Sequence, residues 1–400
     1  MSRSTSLRWG LLAGVLVPVA VLSWWSWQRS LPVRPENLFP GGLPVASAQG
    51  YLGWEQCATC HAQIAQDYAN SGHARTFLTV AGSDTARELN GQSFFDPERQ
   101  LRYHYFTDEF GLGAVIEGQT QPEPFPLQFL LGSNEHAQTF LTLIPQADGQ
   151  TAGLEHRVSR IAGNWALTPN HTGHVATEPV QAFGKVKSPE TTSRCIGCHT
   201  TWHEIDGLEL RHLLPNVQCE ACHGPGAKHV ELVMQGARES GIESLRATSV
   251  QTALAQIERC GVCHRLAEDL PPGQLAGPSR LTVRFQPVGL MRSRCYLESR
   301  GNLACSRCHN PHAAARTQTV QAIQACRACH SQAPQQQVCP VSPQADCIRC
   351  HMPPVEVHPG ITFHDHWIRV IRPGDAETGA PRSPAPAPAP SPASDPVVEQ

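Results

Sequence analysis

From Trp9 to Trp27 the chain carries no charged residue, and Arg3 and Arg8 stand just before this run. Such a run is long enough to cross a bilayer as a helix. The Trp24-Trp25-Ser26-Trp27 cluster at its end suits the membrane–water interface. This predicts a signal-anchor helix over residues 1–28 with the N-terminus inside. A cleaved signal peptide is the alternative, but the small-residue site Ala46-Ser47-Ala48 lies well beyond the apolar run. Both readings export the rest of the chain. Residues 29–50, rich in Pro and Gly, read as a tether.

The pattern then changes period. Ile64 and Tyr68, one helical turn apart, predict a short helix after Cys57 that stops at Ser71-Gly72. Leu101–Phe106, Phe140–Ile144 and His156–Ile161 alternate instead as strands do, with Gly-rich turns between them. We expect a small antiparallel β insertion over residues 77–190. Helical spacing returns over Val230–Arg238 and over residues 240–258, before a Pro- and Gly-rich loop that runs to Met291. Past Ile368 the pattern fades. From Ala380 on, alternating Pro and Ala predict a disordered tail, residues 372–400.

Only 6 % of residues are aromatic and 16 % charged, against 34 Pro and 32 Gly. So loop-rich a chain needs another source of buried apolar surface, and its 16 cysteines point to one. Fourteen of them stand in seven copies of C-x-x-C-H. The copies are Cys57/Cys60/His61, Cys195/Cys198/His199, Cys219/Cys222/His223, Cys260/Cys263/His264, Cys305/Cys308/His309, Cys326/Cys329/His330 and Cys347/Cys350/His351. This is the attachment signature of c-type haem. The two thiols add to the haem vinyl groups, and the adjacent His reaches the iron as proximal ligand. Zinc knuckles do not require that His. With 20 His in 400 residues, seven chance placements have a probability on the order of 10⁻⁹. A disulfide scaffold would not repeat the spacing either.

The expected fold is therefore mostly α and irregular, with seven covalent haem c groups forming the core. A first haem segment at 51–76 precedes the β insertion between motifs one and two, and a six-haem domain follows at 191–371. The formal charge is −3. Two propionates per haem carry this towards about −17 if all ionise. Lys185, Lys187 and Lys228 are the only Lys, so Arg supplies most of the positive charge, and its fork suits propionate carboxylates. No basic patch suggests nucleic acid.

The second axial ligand decides what such irons do. The chain has only Met1, Met234, Met291 and Met352, which excludes widespread His/Met coordination. Thirteen His lie outside the motifs, enough for bis-His ligation throughout, and hence for low potentials. Local context favours His229, in Cys222-His223-Gly-Pro-Gly-Ala-Lys-His229, and His312, in His309-Asn-Pro-His312. His73 and His366 join them, and His203, His174, His358 and His136 form a second group. His104 and His156 sit in strand-like runs and are not expected to ligate. Three residues reach about 10 Å at most, too little to pass round a macrocycle. His203, His229 and His312, if ligands, therefore serve a neighbouring haem. Cys295 and Cys339 form either one disulfide or two isolated thiols.

Ser71-Gly-His73-Ala, Gly132-Ser-Asn-Glu-His-Ala-Gln-Thr-Phe140, Cys219-Glu-Ala-Cys-His-Gly-Pro-Gly-Ala-Lys-His229, Cys305-Ser-Arg-Cys-His-Asn-Pro-His312 and Asp365-His-Trp-Ile368 resemble a family of multihaem cytochromes. That family is related to the tetrahaem carriers that take electrons from hydroxylamine oxidoreductase, and larger members are often joined to tetratricopeptide repeats. This chain instead ends in a Pro/Ala tail. The resemblance, over about residues 51–371, implies periplasmic electron transfer through closely stacked, mainly bis-His haems. It supports His73, His229, His312 and His366 as distal ligands. The expected partners are donor and acceptor redox proteins and, through the N-terminal helix, the inner membrane. The competing class is a reductase or oxidase of a small nitrogen or sulfur compound at one five-coordinate haem. The fourth motif, with no extra His nearby in sequence, is the expected open site.

Overall fold

The computed structural model describes residues 47, 49–118, 124–171, 173, 176, 178–246, 252–270, 272–275, 281–331, 339 and 347–371. The expected anchor, nearly all of the tether, His174 and the tail lie outside them. Among the described residues no helix is long and apolar enough to cross a membrane. The chain divides into two compact units, Met1–Leu52 with Pro225–Ala247, and Gly53–Gly224 with Thr248–Gln400.

In the first unit the helices Ala227–Met234 and Arg238–Arg246 pack side by side. Gly241 permits the close approach, because a Cβ there would stand 2.6 Å from Val233 Cγ2.

The second unit contains fourteen described strands. They are β1 (Phe77–Thr79), β2 (Ser93–Asp96), β3 (Leu101–Asp108), β4 (Gly111–Ile116), β5 (Phe125–Pro126), β6 (Phe129–Leu131) and β7 (Ala137–Pro145). β8 (Thr151–Ile161), β9 (Asn164–Leu167), β10 (Gly184–Lys187), β11 (Thr200–Asp206), β12 (Glu209–Pro215), β13 (Pro354–His358) and β14 (Ile361–His364) follow. β1-β6-β7-β8-β10 make one antiparallel sheet, with β9 also on β8, and β2-β3-β4-β5 make a second.

The two sheets bury a common core. Tyr103, Tyr105, Leu112, Ala114 and Ile116 come from one sheet, and Leu130, Phe140, Leu154 and Val158 from the other. The opposite face of the larger sheet is covered too. Phe129, Leu131, Leu141 and Leu143 pack with Ile196, Cys195 and the β11–β12 hairpin. With both faces covered, β7 and β8 are buried at successive residues and not only at alternate ones.

Two expectations are corrected. Of the described residues 40 % are helical and 27 % in strands, arranged in several antiparallel sheets, so the fold is not mostly α and irregular. Nor is a haem core supported. The largest cluster of buried apolar residues is made of side chains between the two sheets. The shortage of aromatics had argued against such a core. The sandwich overcomes it by concentrating Tyr103, Tyr105, Phe125, Phe140 and Phe183 in one place.

Buried charge fixes the sandwich further. Arg157 and Asp96 are almost fully buried and paired at 2.7 Å, and Glu98 lies 2.5 Å from the same guanidinium. Glu155 meets His171 at 2.9 Å and Lys187 at 3.1 Å. Burial opposes the Glu155 charge, but these two partners outweigh it and hold its pKa near 2. Lys187 is followed by Ser188, whose hydroxyl accepts from Thr191 N at 3.1 Å and so caps the helix Pro189–His199. The sandwich thereby sets the position of the second motif.

Candidate haem sites

A helical C-x-x-C-H places Cys(i), Cys(i+3) and His(i+4) on one face. Five motifs use this directly, at the ends of the helices Pro189–His199, Cys219–His223, Ala253–His264, Thr319–His330 and Cys347–His351. The first straddles the helices Trp54–Ala58 and Ala62–Ala69, and the fifth lies on a 3₁₀ turn, Cys305–Arg307.

Protein atoms cover the motif residues unevenly. Cys60 and His61 of the first motif are exposed, and so is Cys350 of the seventh. Cys222, Cys263 and Cys329, the second thiols of three other motifs, are exposed as well. The local backbone explains the outermost three. Cys60 lies in the turn between the first two helices, and His61 is the residue that begins the second of them. Cys350 stands on a helix of five residues, none of which is buried. A turn or a single helical turn has too few neighbours to cover its own side chains. Desolvation lowers the pKa of His223 in the third motif, and repulsion from His312 and from nearby His61 lowers it further. The first motif is thus exposed at its second thiol and histidine yet adjacent to the third.

The motifs are fastened to one another by specific bonds. Gly53 N donates to Glu220, inside the third motif, at 2.8 Å, and Trp54 N to Gln218 at 2.8 Å. Ser306 N, inside the fifth motif, donates to Gln256 on the fourth motif's helix at 2.7 Å. Cys57 lies within hydrogen-bond reach of Cys219, Cys198 of Cys263, and Cys260 of Cys305. Cys326 has Cys347 and Cys308 as close neighbours. The motifs therefore adjoin in the series one–three, four–five, five–six and six–seven, with two beside four.

Three pairs of imidazoles face each other. His73 and His264 have ring centroids 6.3 Å apart, His223 and His312 6.0 Å, and His309 and His366 6.1 Å. Two trans metal–nitrogen bonds of about 2.0 Å, with roughly 1.1 Å from each nitrogen to its ring centre, separate trans imidazole centroids by about 6 Å. Among the described residues no three or more His, Cys, Asp or Glu converge as a metal site. Paired imidazoles suit an iron whose other four donors come from a macrocycle.

Several rings are also oriented for ligation. Nδ1 of His199 meets the Thr76 carbonyl at 3.0 Å, His351 the Arg369 carbonyl at 2.9 Å, and His366 the His364 carbonyl at 2.9 Å. His73 Nδ1 lies 3.4 Å from the Pro311 carbonyl, and His264 Nδ1 3.3 Å from Gln286 Oε1. In the first unit His229 Nδ1 meets the Gly241 carbonyl at 2.9 Å. An Nδ1–H that donates leaves the Nε2 lone pair available to a metal. Desolvation lowers the pKa of His199, His223, His264, His309 and His312, and takes His366 to about 4, which favours the neutral imidazole that ligation requires. The residues present fit haem with two axial imidazoles.

The run His309-Asn310-Pro311-His312 serves all three pairs. His309 faces His366, His312 faces His223, and the Pro311 carbonyl orients His73 against His264. Gln318 holds this run. Its Oε1 accepts from Asn310 N at 2.6 Å, and its Nε2 donates to the carbonyls of Asn310 and Ala313, both at 2.9 Å. Asn310 Oδ1 accepts from His312 N at 3.0 Å.

The other His named from the sequence make the following contacts. His203 Nδ1 meets Thr200 Oγ1 at 3.0 Å, His136 packs at a tilt against Phe363 with centroids 4.7 Å apart, and Nδ1 of His358 meets the Pro359 carbonyl at 3.2 Å. His104 bonds Ser93, and the buried His156 faces the Tyr105 hydroxyl at 2.9 Å. His73 comes from far back in the chain to face His264 of the fourth motif, the one expected to be open. Cys295 and Cys339 are not disulfide-bonded. Gln318 was missed in the sequence, where no pattern marks a residue that binds only backbone.

The family model for cytochrome c554 and c-prime matches residues 56–105 and 160–224. The likeness is to a multihaem c-type cytochrome. It supports a role in electron transfer with covalently bound haem c. Searches of curated proteins and of solved structures returned no match.

Proposed function

We propose that this cytochrome carries seven haems, mainly bis-His ligated, and transfers electrons outside the cytoplasmic membrane between protein partners. The observation that carries the reading is the set of three imidazole pairs near 6 Å. When bound, haem supplies a one-electron carrier at each motif. The chain supplies the rest. His264, His223 and His309 are the proximal ligands of motifs four, three and five, and His73, His312 and His366 their distal ligands. His229 in the first unit is a distal ligand as well. Backbone carbonyls hold several of these rings by Nδ1, which fixes their tautomer and direction. Arg194 and Arg265, close to Cys198, are placed to pair with propionates of the second haem.

The apolar run Trp9–Trp27 anchors the exported chain to the inner membrane, which keeps the carrier beside its donor. A signal cleaved after export would leave the same carrier soluble.

The test is haem counting by mass spectrometry, with electron paramagnetic resonance of the oxidised protein and carbon monoxide added to the reduced one. Seven haems, low-spin signals and no carbon monoxide spectrum support the carrier. A high-spin haem that binds nitrite, hydroxylamine or carbon monoxide would instead support the reductase or oxidase class.

A further inference from the structure

His364 is tethered as the proposed ligands are. Its Nδ1 lies 2.8 Å from the Met352 carbonyl, so Nε2 is the free nitrogen of the ring. The ring is exposed, at the end of β14, and no protein group is hydrogen-bonded to Nε2 among the described residues. Its surroundings are haem motifs. Met352 directly follows His351 of the seventh motif, and His366, two residues on, faces His309 of the fifth.

We infer that His364 is an axial ligand of the sixth motif's haem, the one attached at Cys326 and Cys329 and held by His330. The inference rests on the bis-His reading above and extends it to a residue outside the expected ligand set. Reach and occupancy select the iron. The fifth motif's His309 already has His366 opposite it. The seventh is excluded because His364 is anchored to the residue next to His351. One residue spans about 3.6 Å at most, so that anchor lies on the proximal side of the seventh haem. The motif packed against the seventh is the sixth. Cys326 neighbours Cys347, and the helices Thr319–His330 and Cys347–His351 touch. The β13–β14 hairpin, paired from Pro354 opposite His364 to His358 opposite Ile361, is then the device that returns a ligand to this haem.

The test compares wild type with His364→Ala and His364→Met, each checked by mass spectrometry for full haem loading. In His364→Ala one low-spin haem is expected to become high-spin and to bind one equivalent of carbon monoxide when reduced. In His364→Met one haem is expected to stay low-spin, gain a sulfur-to-iron charge-transfer band and rise in potential. The Met variant keeps an axial donor, so it remains informative if the Ala variant fails to mature. A structure of the loaded protein then identifies the iron. His364 on the iron held by His330 supports the inference, whereas His364 on another iron or on none overturns it. Unchanged spectra in both variants, on a low-spin wild type, also overturn it while leaving the bis-His reading intact. A wild type without bis-His signals would defeat that reading itself.

Discussion

Gln318 offers the sharpest perturbation of the haem sites, because its side-chain hydrogen bonds go to the backbone of Asn310 and Ala313 and not to a candidate ligand. In Gln318→Ala three hydrogen bonds disappear, at 2.6, 2.9 and 2.9 Å. The residue is only 6 % exposed, so water does not simply replace the lost amide. At about 1 kcal/mol per net hydrogen bond, the run from His309 to His312 loses roughly 3 kcal/mol of local stability. That is about a hundredfold in its opening equilibrium. Hydrogen exchange of the loaded protein should show this acceleration in peptides covering 305–318, with β7 and β8 unchanged as an internal control. Since the same run orients three imidazole pairs, the variant should also bind carbon monoxide at more than one haem. Exchange within threefold of wild type, with no carbon monoxide binding, would refute the reasoning.

Other perturbations test the scaffold. Burial holds the His156 pKa near 3 in the fold against 6.5 ordinarily. As pH falls below 6.5 the unfolded chain therefore takes up a proton that the folded one refuses. The local stability of β8 should drop by up to ~1.4 kcal/mol per pH unit down to about pH 3, and His156→Phe should remove that slope in exchange measurements. Asp96→Asn leaves the buried Arg157 with Glu98 as its remaining carboxylate. Because Glu98 still compensates, the expected loss is at the low end for a broken buried pair, about 3 kcal/mol by denaturant titration. Gly289→Ala puts a Cβ 2.6 Å from Trp367 N and 2.7 Å from the His366 carbonyl carbon, and should perturb one low-spin signal by displacing His366.

The motifs and the alternating runs of β3, β7 and β8 were legible in the chain because local periodicity governs them. How deeply each motif is set was not legible, because the same five-residue pattern ends a long helix at His199 and spans an exposed turn at Cys60 and His61. The β11–β12 hairpin was not read, although Asp206-Gly207 marks its turn. Gly207 opens a two-residue loop at φ 58°, which such hairpins favour, and Asp206 pairs with Glu209 across it. The segment falls within the six-haem domain, for which a mostly α and irregular fold was expected. The helix expected over 240–258 instead appears as the end of Arg238–Arg246 and the start of Ala253–His264, where Thr252 caps a new beginning. The pairing of His73 with His264 had no sequence signal. The two lie far apart in the chain, and the tertiary fold brings them together, with the Pro311 carbonyl 3.4 Å from His73 Nδ1.

The facing imidazoles differ in one respect that spacing does not capture. The planes of His223 and His312 are nearly parallel, at 13°, those of His309 and His366 lie at 33°, and those of His73 and His264 are crossed at 72°. Parallel ligand planes split the two iron dπ orbitals that overlap them, while crossed planes leave those orbitals nearly degenerate. With these pairs as the axial ligands proposed above, the same two donors would yield electronically distinct irons. The third haem is expected to give an ordinary rhombic signal, and the fourth a strongly anisotropic one. Under the proposed ligation, the orientation of the rings would give the protein a means of grading neighbouring carriers without changing a single ligand.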